Sequence, residues 1–275
     1  GLQSRRMPVL AVLLVTQPVG LAIALLALPL FGADQMPASK LVLAFAGGIA
    51  VMGALGAFYS AMATGKMSVV APVAALGVVV PVAAGIAGGE APGPIAFVGL
   101  VLAVAGVVVL SYEEDTPAEQ RQDPPSGQAR AGDPTGAGKK VIALALLSAL
   151  GFGTFFTLLD AAATDRPGWA IVSARAGGTL MVLAAVALAR PSLRAIPAAM
   201  PALLAMAFFD VTANSLFTLA STIALLPLVA VGGSMYPAFT IALAHLTLGE
   251  RLHHLQRAGV ALALAGVLLI SAGSA

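Results

Sequence analysis

The sequence has no cysteine, so it holds no disulfide framework, no thiol nucleophile and no thiolate metal site. Charge is nearly as scarce: 9% of its 275 residues are Asp, Glu, Lys or Arg, against about 25% in an ordinary soluble domain. With 14 basic and 12 acidic side chains, a water-soluble globule of this size would lack its charged shell. A disordered chain and a coiled coil are excluded by the same shortage. The net charge of +2 is too small to argue for a nucleic-acid partner. Enzyme signatures are missing as well. There is no phosphate-cradling Walker sequence and no nucleophile elbow, so no catalytic residue and no cofactor is expected. Without an ATP site, any uphill movement of solute has to draw on an ion gradient or on exchange.

What is present is apolar. Hydrophobic residues make up 59%, and the mean hydropathy is +0.98. This is the composition of an all-α, polytopic membrane protein whose main partner is the lipid bilayer. A bilayer core takes about 20 apolar residues per helix. By that measure nine spans are predicted, near 8–31, 41–63, 67–88, 94–112, 141–162, 168–189, 201–221, 223–247 and 256–273. Short connectors such as Gly89-Glu90-Ala91-Pro92-Gly93-Pro94 and Arg190-Pro191 separate them. The one long polar stretch, 113–140, is rich in Pro, Gly, Gln, Asp and Arg and reads as a flexible linker. It divides the chain into a first repeat, 1–112, and a second, 141–275.

The two halves match one another. Glu90, Gly99, Gly106 and Ser111 are spaced 9, 7 and 5 apart, and so are Glu250, Gly259, Gly266 and Ser271. The span before each set carries a proline, Pro81 or Pro237. Around the Gly-Glu pairs the offset between halves is 160; aligning Gln17 with Arg175 and Tyr59 with Phe217 makes it 158. Four spans in the first half against five in the second imply a five-helix unit whose first helix lies upstream of Gly1. Two odd-numbered repeats in one chain must face opposite ways across the membrane, the inverted plan of many secondary carriers.

Charge placement gives an orientation. One set of connectors holds Arg5, Arg6, Lys66, Arg121, Arg130, Lys139, Lys140, Arg190, Arg194, Arg251 and Arg257, and the other holds only Lys40 and Arg166. The positive-inside rule puts the first set, with the linker 113–140, in the cytoplasm, and the C-terminus outside. The expected site is the cell membrane, inner or plasma.

Ionisable groups inside spans are costly and mark candidate sites. Arg175 lies seven residues into the sixth span and Asp210 lies mid-span in the seventh. Their depths agree within a few ångströms at a rise of about 1.5 Å per residue, near enough for an arginine to reach. Asn214 follows Asp210 by four residues and shares its face. At the 158 offset, Gln17, Met52 and Gly56 stand opposite Arg175, Asp210 and Asn214, so the polar cluster belongs to one half. Arg175 is suited to a substrate carboxylate or phosphate in a forked grip. Asp210 is suited to a substrate ammonium or to a coupling proton. The competing reading is a neutral Arg175–Asp210 pair that only locks two helices. Pro81 and Pro237 break their helical ladders and free carbonyls that can line a cavity, with Tyr236 beside them as a donor. Gln17, next to Pro18, and Thr154, between Gly153 and Phe155, are weaker candidates for the same cavity. Glu90 and Glu250 read as charged helix starts. His253 and His254 are adjacent and point to different faces, and with only His245 besides, no metal site is expected.

Leu248-Gly249-Glu250-Arg251-Leu252, followed by Gln256, Gly259 and Ala265-Gly266-Val267, resembles the closing motif of EamA domains, which belong to the drug/metabolite transporter superfamily. Gly89-Glu90, Gly99 and Ala105-Gly106-Val107 are a weaker first-half counterpart. Ala61-Met62-Ala63-Thr64-Gly65 and Ser68-Val69-Val70-Ala71-Pro72 are similar to that family's passage from third to fourth helix, and Ser4-Arg5-Arg6 to the stretch after its first. The resemblance implies a ten-helix bundle of two inverted five-helix repeats that moves small organic solutes, with both termini cytoplasmic. The charge bias points the other way for the C-terminus. The function expected is a secondary carrier, an exporter or exchanger of small polar metabolites, with the proton as the candidate coupling ion. Two alternatives are a flippase for a phosphorylated lipid carrier, with Arg175 on the phosphate, and a non-transporting scaffold subunit of the membrane. Nothing in the sequence sets an oligomeric state; a monomer suffices.

Overall fold

In the computed structural model, residues 8–31, 36–64, 70, 73–90, 92–111, 134–163, 166–233 and 254–273 are described. They form nine α-helices. In chain order these are α1 Val9–Ala27, α2 Ala38–Thr64, α3 Val79–Ala87, α4 Pro94–Ser111, α5 Pro134–Ala163, α6 Pro167–Ala189, α7 Ile196–Ile223, α8 Leu226–Gly233 and α9 His254–Gly273. No strand occurs among the described residues. In hydrocarbon each backbone polar group has to be satisfied within its own segment, and a helix does that. Among the described residues, five stretches are long and apolar enough to cross a bilayer: Val9–Phe31, Ala38–Ala63, Lys139–Ala163, Pro167–Ala189 and Ile196–Ile223. The protein is thus a multi-pass membrane protein.

Helix ends follow the local chemistry. Pro94, Pro134 and Pro167 each open a helix, where a missing amide hydrogen leaves nothing unpaired. The opening at Pro134 puts residues 134–140 in α5 rather than in the flexible linker. Hydropathy hides this turn, because Gly, Thr and Lys fill it. At the other end of α6, Arg190 takes the left-handed conformation (φ 44°), its N–H donates to the Val186 carbonyl, and Pro191 prevents continuation. Gly89 (φ 93°) turns the chain after α3 at a conformation that favours glycine. Glu90 belongs to this turn, donating its N–H to the Gly85 carbonyl, and so precedes the start of α4 instead of forming its first turn.

The chain divides into two compact units, Gly1–Gly53 with Thr154–Val229, and Ala54–Gly153 with Ala230–Ala275. Each draws on both halves of the sequence, so neither unit is one half.

In the first unit α1 and α6 run antiparallel. Leu28 and Phe31 lie against Gly168 at one end, while Gln17 meets Arg175 further along. Helix α2 runs parallel to α6: Ser173 Oγ donates to the Leu41 carbonyl (2.7 Å), and Met52 lies by Gly178. A Cβ at Gly48 or Gly177 would overlap the Ala174 or Phe45 carbonyl oxygen, so these two backbones touch only because both positions are glycine. Apolar side chains close the remaining space, with Phe155, Leu159, Ala174 and Phe217 in one cluster.

In the second unit α4 and α9 pack antiparallel, Ala103 on Gly266 and Ala96 on Gly273. Helix α3 is preceded by a 3-10 turn, Leu76–Val78. Pro81 explains the tightening. It has no N–H for the Gly77 carbonyl, which lies instead where a side chain at Gly153 would be.

Candidate functional site

The polar cluster lies in the first unit. Arg175 is the ninth residue of the 23-residue α6, and its side chain is 8% exposed. Asp210 is at the middle of the 28-residue α7, and its side chain is 50% exposed. Arg175 Nη1 donates to Asp210 Oδ2 at 2.6 Å. This is a single-arm contact, short as charge-assisted bonds are. The same Nη1 lies 3.4 Å from Gln17 Oε1, a longer and weaker bond. Gln17 is itself buried on α1.

Asn214 orients the carboxylate. Its Nδ2 donates to the Asp210 carbonyl oxygen at 2.8 Å and to Oδ1 at 3.2 Å, leaving Oδ2 for the arginine. Thr218 Oγ1 donates in turn to the Asn214 carbonyl at 2.7 Å. Thr212 Oγ1 likewise donates to the Phe208 carbonyl, so these two threonines are met within their own helix. Two small residues make room for the pair. A Cβ on Gly20 would lie 3.0 Å from Val211 Cγ2 and 3.5 Å from Arg175 Nη1; one on Gly178 would lie 3.2 Å from Gln17 Oε1.

Of the residues singled out in the sequence, Gln17, Arg175, Asp210 and Asn214 come together. Thr154 does not. It is half-buried on α5, and its side chain makes no hydrogen bond to Arg175 or Asp210. Pro81 is fully buried in α3, in the second unit. Tyr236 and Pro237 lie outside the described residues, as do Glu250, His245 and His253. Among the described residues there is no group of three His, Cys, Asp or Glu side chains that could hold a metal.

One buried polar residue beside the site went unread. Thr179, four residues after Arg175 on the same face, has a buried hydroxyl without a hydrogen-bond partner, and so has Arg175 Nη2. The i, i+4 rule that found Asn214 from Asp210 finds Thr179 from Arg175.

Residues 139–272 match the EamA-like transporter family. No curated protein matches the chain. A solved crystal structure of another protein is similar to 97% of this chain and 88% of its own, with a TM-score of 0.76 at 16% identity, a likeness of fold. Residues 139–272 of the chain therefore form an EamA-like transporter domain.

Proposed function

We propose that the protein is a secondary carrier, an exporter or exchanger of small polar metabolites that works by alternating access in the cell membrane. Asp210 is its coupling carboxylate. When ionised it holds Arg175; when protonated it lets Arg175 go. The observation that carries this reading is the unequal exposure of the pair. Arg175 is buried, while its partner at the middle of a span is half exposed. A pair that only locked two helices would be buried on both sides. A flippase gripping a phosphate with Arg175 is less well supported, because the arginine already has its counter-ion.

The inverted repeat belongs to the same proposal. Val9–Phe31 and Pro167–Ala189 have bounds 158 residues apart at both ends, and α2 and α7 start 158 apart. The starts of α4 and α9 are 160 apart. In both matched pairs that touch, α1 with α6 and α4 with α9, the helices run antiparallel, as opposite-facing repeats require.

The test begins with a thermal-shift screen of small polar solutes on the purified protein. Proteoliposomes are then loaded with a solute that protects it. The wild-type protein is expected to concentrate that solute under a pH gradient. Asp210→Asn is expected to keep exchange and lose the gradient-driven part. Undiminished coupled transport in that variant would remove Asp210 from the mechanism. Failure to move any protecting solute would remove the carrier reading itself.

A further inference from the structure

The guanidinium of Arg175 is only partly used. Nη1 serves both Asp210 and Gln17, while Nη2 is buried with no hydrogen-bond partner. Thr179 Oγ1, one turn along the same face of α6, is in the same condition. The two residues are 7% and 9% exposed. Buried polar atoms nearly always find partners, and leaving a charged donor unmatched costs more than leaving a neutral one. Two exceptions one helical turn apart on one face, with two N–H groups and a hydroxyl between them, point to an acceptor oxygen supplied from outside the chain.

Charge selects the kind of oxygen. With Asp210 at 2.6 Å, Arg175 is already neutralised. A carboxylate or phosphate on Nη2 would add uncompensated negative charge inside a span, where isolated charges are expensive. Nη1 is committed to Asp210, so the end-on fork that uses both Nη groups is closed to an incoming anion. An uncharged oxygen accepts the same hydrogens and leaves the cluster neutral.

We infer that Arg175 Nη2 and Thr179 Oγ1 form a subsite for an uncharged acceptor oxygen: the hydroxyl, carbonyl or amide oxygen of a neutral polar solute. While Asp210 is ionised, the site discriminates against anions of the same shape. Calling this solute a substrate rests on the carrier reading above; its binding does not, and it is tested without transport.

The full-length protein is purified in detergent and melted with matched probes at equal concentration and ionic strength: lactamide against lactate, and glucose against gluconate. Lactamide and glucose are expected to raise the melting temperature by about 3 °C at saturation. Lactate and gluconate are expected to leave it unchanged. Arg175→Lys keeps a cation for Asp210 but lacks the second arm, and it is expected to lose the neutral-solute shift. Thr179→Val removes the hydroxyl at nearly constant shape and is expected to weaken the shift, giving a second variant if the first does not fold. Three results would each overturn the subsite: an equal or larger shift with lactate or gluconate, a neutral-solute shift that survives both substitutions, or no shift with any of the four probes. The carrier reading stands or falls separately, on the proteoliposome experiment.

Discussion

Asp210→Asn is the substitution whose energetic effect the geometry defines best. It removes the counter-ion of a guanidinium that is 8% exposed and leaves that charge with only Gln17 Oε1, 3.4 Å away. Removing one partner of a fully buried pair costs about 3–5 kcal/mol, and an exposed pair is worth about 0.2–1 kcal/mol. Asp210 is half exposed, so the pair falls between these limits, and Asn still offers a neutral acceptor oxygen. A loss of about 2 kcal/mol follows, or about 4–8 °C in melting temperature for a chain of this size. Arg175→Met leaves a half-exposed carboxylate rather than a buried charge, so its cost is expected to be smaller, about 1 kcal/mol. The double variant removes both charges together. It is expected to melt above the temperature obtained by adding the two single effects, with a coupling of about 1–2 kcal/mol. The assay is a thermal melt of the four proteins in one detergent, followed by circular dichroism. An Asp210→Asn protein melting within about 1 °C of wild type, together with additive single effects, would refute the reasoning.

The remaining predictions concern packing, topology and coupling. Gly48→Ala and Gly177→Ala drive a Cβ into a facing carbonyl and are each expected to lose about 1–3 kcal/mol, seen as lower melting temperatures. Gly53→Ala and Gly56→Ala meet no described atom within 4 Å and are expected to be neutral or to gain up to about 1 kcal/mol from better helix propensity. The chain has no cysteine, so cysteines placed at Ser126 and Ser274 report topology cleanly. In intact cells an impermeant maleimide is expected to label Ser274→Cys and to spare Ser126→Cys; the reverse pattern would overturn the charge-based orientation. Proton-driven uptake is expected to vanish in Asp210→Asn while exchange continues.

Much of this was legible in the sequence, and the rest was hidden for definable reasons. Bilayer-length hydropathy marks the spans, but it misses the opening of α5, where polar residues 134–140 form helix behind a proline. It also misses the opening of α7 at Ile196, where Pro197 sits in the first turn. The 3-10 turn before α3 is implicit in Pro81, although its exact residues are not. Arg175 and Asp210 stand out because charge inside a span is rare, and Asn214 follows from helical spacing. Gln17 carries a weaker signal, an uncharged polar residue beside Pro18, and its repeat mate Arg175 strengthens it. Thr154 looked equivalent and is not part of the cluster. It lies on a helix whose few polar residues mark no single face, and sequence gives no facing for such a helix. The unequal use of the two arms of Arg175 depends on one side-chain geometry, which no pattern of residue types encodes.

The repeat arithmetic also explains why the cluster is asymmetric. Gln17 and Arg175 are each the ninth residue of matched 23-residue spans, and they touch. A two-fold relation between repeats brings an equivalent pair of residues face to face only near the axis, so on the proposed symmetry this contact marks where the axis passes. Identical residues at such a position face themselves. Two arginines 3–4 Å apart would repel, and neither could donate to the other. Gln at position 17 removes the repulsion and supplies an acceptor. Met52, which stands where Asp210 stands in the other repeat, removes the second carboxylate and keeps the cluster neutral. One ion pair at the axis is then shared by both halves, and a single proton on Asp210 changes the balance for both at once. That is the economy a carrier with one coupling site requires, and Gln17→Arg or Met52→Asp alone would upset it.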